Sequence, residues 1–293
     1  MPAHHSGPGR PVAHRPAARP APLTPLVPLL SLLSLLLTLL ALPGTAAAAT
    51  GGSRQRPFHP ERDWMGSTVP AHEEGRPPAG GGEALASVEG VDVSSHNGNV
   101  PWSTLWNKGA RFAYVKATEG TSYRNPSFSQ QYNGAYDVGM IRGGYHFALP
   151  SNSGGADQAD YFVDHGGGWS DDGRTLPGVL DMEYNPYGST CYGMSADALL
   201  DWIADFLAVY RHRTGRDAVI YTTTAWWKKC TGNYGRFGSD HPLWVPRYGS
   251  STGELPNGWD FHTFWQYTET GSTVGDHNLF NGSYSRLKAL AYG

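Results

Sequence analysis

From Val88 onward the chain alternates strand-like runs with helical periods, and the alternation stops after five rounds. "EGVDVSS" reads as a strand, and "PWSTLWNKG" as a short helix closed by Gly109. "RFAYVKATEG", "MIRGGYHFA", "LPGVLDMEY" and "DAVIYTT" are strand-like in their β-branched and aromatic content. Between and after them, "NPSFSQQYNGAYDVG", "GADQADYFVDHGG", "SADALLDWIADFLAVYRHRTG" and "TAWWKKC" read as helices. The third of these is the clearest, with Ser195 as N-cap and Leu199, Trp202, Ile203, Phe206 and Val209 on one stripe. "PLWVPRY", "HTFWQYTE" and "VGDHNLF" then follow as strands with no convincing helices between them. This rhythm predicts an α/β fold, a TIM-like barrel with five β/α units followed by three strands. A doubly wound open sheet is the competing arrangement. The barrel is preferred because polar residues gather at strand ends, where a barrel has its functional rim.

What precedes Val88 is not part of that domain. Residues 1–50 read as a secretory signal: Arg10, Arg15 and Arg19, the apolar "LVPLLSLLSLLLTLLAL", then small residues in "PGTAAAAT". The apolar run nearly reaches the roughly 18–20 residues of a membrane span. Its early prolines and Ala-rich exit favour cleavage, so a secreted, extracellular protein with no lasting membrane association is expected. Residues 51–87, with "HEEGRPPAGGGEALAS", have the Pro/Gly-rich composition of a linker. Whether Asp63 and Trp64 dock on the domain is left open. Residues 88–293 are ample for one core. A formal net charge of −3 leaves no basic footprint for nucleic acid. Only Cys191 and Cys230 occur, and in an exported chain two cysteines predict one disulfide.

The polar residues at the strand ends carry the chemistry. Asp92 ends the first strand, Glu119 follows the second, and Tyr145 and His146 end the third. Asp181 and Glu183 end the fourth and Tyr221 the fifth; Trp244 and Arg247 lie on the sixth, Trp265, Gln266 and Tyr267 on the seventh, and Asp276 on the eighth. Asp181 and Glu183 are two apart on a strand, so they share a face with Cα atoms roughly 6.6–7 Å apart. Two carboxyls so placed can bracket a glycosidic bond, one protonated as acid and one charged to stabilise an oxocarbenium-like centre. Burial and mutual repulsion hold the proton on one of them near neutrality. Glu183, the longer, is the natural donor. Alone, a DxE is also compatible with solvated residues opening the loop "YNPYG", His146 with a hydrogen-bonded structural histidine, and Glu119 in "KATEG" with an ion pair to Lys116 or a turn cap. A metal reading, with Asp92, Asp181, Glu183 and Asp276 around Mg²⁺ or Ca²⁺ and His146 joining for Zn²⁺, is disfavoured by the aromatic surroundings. No cofactor or metal is expected. The 10 Trp and 16 Tyr suit a sugar binder, although ordinary barrel packing accounts for about half of them.

Together the motifs resemble glycoside hydrolase family 25, the Chalaropsis-type lysozymes. "GVDVSSHNG", "FAYVKATEGT", "GMIRGGYHFALP", "LPGVLDMEYNP", "CYGMS", "VIYTTTAWWKKCTG", "FWQYT" and "DHNLFNGS" look like stretches of that family, in its order, over residues 88–293. The resemblance implies a secreted muramidase that hydrolyses the β-1,4 bond between N-acetylmuramic acid and N-acetylglucosamine in bacterial peptidoglycan, acting as a monomer. It implies catalytic roles for Asp92, Asp181, Glu183 and Asp276, with Glu183 as general acid. Asp181 is then either the nucleophile or the group that orients the substrate's 2-acetamido. Substrate contacts are expected from Glu119, Tyr145, His146, Tyr221, Trp244, Trp265 and Gln266. Ser95-His96-Asn97 departs from many relatives, which leaves the first subsite open, and the segment before Asp276 is shorter than in some. No cell-wall-binding repeats follow the barrel, so capture is expected to rest on the groove or on residues 51–87. A chitin-type glycosidase and a non-catalytic glycan-binding barrel are the competing readings.

Overall fold

The computed structural model describes residues 58–73 and 86–293. The expected signal at 1–50 lies outside the described residues. Among the described residues no helix is long and apolar enough to cross a membrane.

A four-residue helix, α1 (Val69–His72), precedes the barrel. The chain then runs β1 (Ser87–Val93), α2 (Trp102–Asn107), β2 (Phe112–Glu119), the two-residue β3 (Tyr123–Arg124), α3 (Phe128–Asp137), β4 (Ile141–Phe147) and α4 (Gly155–Phe162). It continues through β5 (Val179–Asp181), α5 (Ala196–Thr214), β6 (Val219–Tyr221), α6 (Thr224–Thr231), β7 (Leu243–Pro246), β8 (Phe264–Thr268), β9 (Asp276–Asn281) and α7 (Tyr284–Tyr292). The five β/α units and the three final strands are those anticipated. The closing helix α7, capped by the Ser283 hydroxyl, was not.

Closure decides between barrel and open sheet. β1 pairs with β2 on one side and with β9 on the other, so eight strands form a ring. Within the ring the neighbours from β1 through β2 and β4 to β8 are parallel, while β9 runs antiparallel to both β8 and β1; the short β3, outside the ring, is antiparallel to β2. The antiparallel strand follows from the short β8–β9 connection, which has no room for a crossover helix.

The period of two then sorts side chains. Phe112, Tyr114, Ile141, Tyr145, Val179, Val219, Tyr221, Trp244, Phe264 and Phe280 belong to the apolar cluster that fills the barrel. Their strand neighbours face outward. Ala113, Val115, Val91 and Val93 pack with α2 and α3, and Leu180, Ile220 and Val245 with α4, α5 and α6. Aromatic bulk inside is matched by glycine: a Cβ on Gly90 would lie 2.4 Å from the Phe112 ring. α5 buries Leu199, Trp202, Ile203, Phe206, Leu207 and Tyr210 and stops at Gly215, which takes the left-handed conformation (φ 73°). Cys191 and Cys230 are bonded, with Cα atoms 5.3 Å apart, tying the loop after β5 to α6.

Candidate active site

At the C-terminal ends of the strands the fully apolar filling gives way to carboxylates. Asp92 and Asp276 are directly opposite each other across the β1–β9 pair, and Asp181 ends β5 beside Phe147 of β4 and Tyr221 of β6. Glu183 lies two residues beyond Asp181, and Met182 N–H still donates to the Tyr221 carbonyl (2.9 Å). Asp181 and Glu183 are completely buried, and Asp92 and Asp276 nearly so.

Each acid has a different environment. Asp92 Oδ2 accepts from Asn278 Nδ2 (2.8 Å) and Gln266 Nε2 (3.0 Å). The same Gln266 nitrogen lies 3.3 Å from Asp276 Oδ2, so one amide bridges the two aspartates. Gln266 is fixed in turn by the Tyr221 and Tyr248 hydroxyls on its Oε1 (2.8 and 3.0 Å). Neither oxygen of Asp181 has a hydrogen-bond partner. Glu183 accepts from Gly66 N–H at Oε1 (2.7 Å) and from the Thr68 hydroxyl at Oε2.

Burial dominates the electrostatics. It pushes Glu183 up to about 7 against the opposing pull of the Thr68 and Gly66 donors. Asp92 is also raised to about 7, by burial, despite its two amide donors. Asp181 is pushed well above the usual carboxylate range, first by burial and then by the charge of Glu183, with Lys116 pulling the other way. Asp276 is raised by burial and by Asp92. Several acids in one dry mouth cannot all be ionised near neutrality, and protons are retained there.

The other expected contacts divide by strand face. Tyr145, Tyr221, Trp244 and Gln266 are on the lumen side. Trp244 sits lower, its indole N–H donating to Asn278 Oδ1 (3.1 Å), so it props the residue that holds Asp92. Glu119 is at the mouth, paired with Lys116 and accepting from the Tyr187 hydroxyl. His146 and Trp265 are not brought to this group. His146 is on the outer face of β4, its Nδ1 against the Thr118 hydroxyl (2.7 Å) and its Nε2 against Gln158 Oε1 of α4 (2.9 Å). Burial depresses it to about 4, so it is a neutral, doubly hydrogen-bonded imidazole. Trp265 faces away from Gln266, and its indole N–H donates to the Arg247 carbonyl (2.8 Å).

The Lys116–Glu119 pair is the one that "KATEG" offers. Two participants were not anticipated: Asn278 and Tyr248. Asn278 carried a signal, since it is two from Asp276 and the strand period puts it inside. Tyr248 lies beyond β7 and had none. Among the described residues no group of three or more His, Cys, Asp or Glu is arranged to hold a metal ion.

Residues 58–73, within the stretch read as linker, lie against this mouth. Besides the Glu183 contacts, Met65 is fully buried, its N–H donating to the Tyr145 hydroxyl (3.3 Å) and its carbonyl accepting from Gln266 Nε2 (3.0 Å). Lys116 Nζ donates to the carbonyls of Pro60 (3.1 Å) and Asp63. The Trp64 indole stacks on His96 (centroids 4.3 Å apart).

A closed β/α barrel with buried carboxylates at its C-terminal mouth fits many hydrolases, and comparison with known proteins narrows it. The sequence model of glycosyl hydrolases family 25 matches residues 91–276. Lysozyme M1 of Streptomyces globisporus is 51% identical over 211 residues, covering 70% of this chain and 72% of that protein. The N,O-diacetylmuramidase of a Chalaropsis species is 48% identical, over 71% of this chain and all of its own length. A muramidase structure from Acremonium alcalophilum superposes with a TM-score of 0.70 at 54% identity, covering 70% of this chain and 99% of that one. The matched span runs from before Asp92 to Asp276 and carries Asp181 and Glu183 between them, and with it the chain belongs to glycosyl hydrolases family 25.

Proposed function

We propose that the barrel is a muramidase acting on the β-1,4 bond between N-acetylmuramic acid and N-acetylglucosamine in peptidoglycan. The observation that carries this reading is the buried Asp181–Glu183 pair at the barrel mouth of a chain about half identical to enzymes named lysozyme and muramidase.

The chemistry follows from environment. Cleavage needs a proton delivered to the leaving oxygen as positive charge grows on the sugar ring. Glu183, raised to about 7, can hold a proton near neutral pH and release it once the leaving oxygen becomes basic. Asp181, with no hydrogen-bond donor on either oxygen, has both free to face that charge or the 2-acetamido group. When a cationic centre forms beside it, its ionisation becomes favourable at the moment it is useful. Gln266 and Asn278 hold Asp92 in one orientation, which makes Asp92 and Asp276 a rigid wall of the site. Tyr145 and Tyr221 supply ring edges and hydroxyls to a sugar on the lumen side. Action outside the cell rests on the signal-like residues 1–50.

The test is digestion of purified peptidoglycan followed by mass analysis of the released ends. Reducing muramic acid ends are expected. Reducing glucosamine ends would make the barrel a glucosaminidase-type enzyme, and no release of fragments would reject hydrolysis.

A further inference from the structure

Residues 58–73 use the groups that a glycan would need. Both oxygens of Glu183 are taken, one by a backbone N–H that can only donate. The Tyr145 hydroxyl and the Gln266 amide are taken by Met65, and the Tyr248 hydroxyl contacts the Gly66 carbonyl (3.4 Å). The Trp64 indole reaches Asp276. Beyond the acids, His72 stacks flat on Tyr184 (4.2 Å, 8°), Glu73 accepts from the Tyr184 hydroxyl (2.9 Å), and Phe58 packs on Tyr187 (5.1 Å). The contacts run across the mouth from the Lys116–Glu119 pair to Tyr184.

The fit is specific at one point. Gly66 has φ +92°, and a Cβ there would lie 2.4 Å from Gln266 Oε1, 2.7 Å from the Tyr248 hydroxyl and 2.9 Å from the Tyr221 hydroxyl. Only glycine lets the backbone come this close to the acids. A loosely draped linker has no such requirement, and it does not bury a methionine completely.

The geometry points to residues 58–73 as an intramolecular inhibitor, a peptide that occupies the catalytic groove and excludes the glycan until it is displaced. Two bodies cannot share the space around Glu183, so binding of segment and substrate is competitive. Tethering gives such a segment an effective concentration on the order of millimolar. The open fraction is then set by the ratio of the segment's intrinsic dissociation constant to that concentration, and the apparent affinity for the glycan falls by the same fraction. The inference rests on the glycan-cleaving reading only for what is excluded; the occlusion itself stands on the contacts above.

Gly66→Val in the full chain tests it, because the variant should gain function, which damage to the barrel cannot mimic. Met65→Asp, which places a charge among the acids, is a second route to the same displacement. Two readouts are needed: the rate of fragment release from peptidoglycan, and the calorimetric affinity for a soluble N-acetylglucosamine oligomer. Both variants should bind the oligomer at least tenfold more tightly than wild type and release fragments correspondingly faster. A synthetic peptide of residues 58–73 should return the variants toward the wild-type rate, with a pattern competitive with substrate. Equal oligomer affinity in wild type and both variants, or no competition by the peptide, overturns the inference. Tightened, peptide-competed oligomer binding without cleavage of peptidoglycan by any form supports the occlusion and rejects the muramidase reading.

Discussion

Glu183→Gln should remove turnover and, at alkaline pH, make the protein more stable. The first effect is loss of the proton donor, worth roughly 10²–10⁴-fold. The second comes from burial. Glu183 has an ordinary value of 4.5 and is raised to about 7 in the folded chain. Below pH 4.5 it is protonated in both folded and unfolded chains and costs nothing. As pH rises, the unfolded chain ionises first, and folding stability falls until the folded carboxyl also ionises near pH 7. At about 1.36 kcal/mol per unit, the full cost above pH 7 is about 3 kcal/mol. Glutamine has the same shape and cannot ionise; its carbonyl can accept from Gly66 N–H, and its amide can donate to the Thr68 hydroxyl. Removing the charge also relieves Asp181, which Glu183 pushes upward, and this adds in the same direction. For a domain of this size, about 3 kcal/mol corresponds to roughly 6–12 °C in Tm. The assay is thermal unfolding of wild type and variant at intervals from pH 4 to 8.5. The difference in Tm should grow through the window from 4.5 to 7 and then level off. A difference that stays flat across this range would refute the buried, proton-holding carboxyl, and retained turnover would refute its role as acid.

Three further outcomes are expected. Asp181→Asn in the Gly66→Val background should lower kcat/KM and leave the basic limb of its pH profile in place, because Asp181 holds its proton while Glu183 ionises; a limb that moves to lower pH would mean that Asp181 is already charged beside Glu183. Replacing Cys191 and Cys230 by serine should cost about 4 kcal/mol, from the entropy of closing a 39-residue loop, with little change in kcat; it is checked by denaturant unfolding. His146 is neutral when folded, with its value depressed from 6.5 to about 4, so it subtracts stability as pH drops from 6.5 to 4 while the raised carboxyls add it; His146→Gln should gain stability relative to wild type through that window and leave KM alone, and a raised KM with no such pH-dependent gain would place the imidazole in the groove instead.

The barrel was legible because its signals are local and repeated. Each strand announces itself by β-branched and aromatic residues, the clearest helix, α5, by its N-cap Ser195 and its apolar stripe, and the absence of convincing helices after Cys230 marks where bare strands begin. The closing helix α7 escaped because "SYSRLKALAYG" is only nine helical residues with two buried side chains, Leu287 and Ala291, too short a stripe to register. The four acids were legible for a different reason. They fall at strand ends, where a barrel has its functional rim, and the period of two puts them inside.

That same period already contained a correction to the wider set of contacts. Tyr145 and His146 are adjacent on one strand, as are Trp265 and Gln266, and adjacent residues on a strand cannot both face the lumen. Tyr145 and Gln266 are fixed inside by their partners, so His146 and Trp265 go outward to Gln158 and the Arg247 carbonyl. What the period could not reveal is the packing of residues 58–73. Their composition is that of a linker, poor in apolar side chains, and their burial depends on a groove built more than 100 positions later at Glu183. The segment meets the acids through the backbone of Met65 and Gly66 and the Thr68 hydroxyl, and the rim through the rings of Phe58, Trp64 and His72; of these the sequence offered only Trp64 as a docking candidate. Occlusion by main-chain hydrogen bonds therefore becomes visible only when the barrel and the preceding segment are seen together, and low-complexity character argues against an independent core without arguing against a docked one.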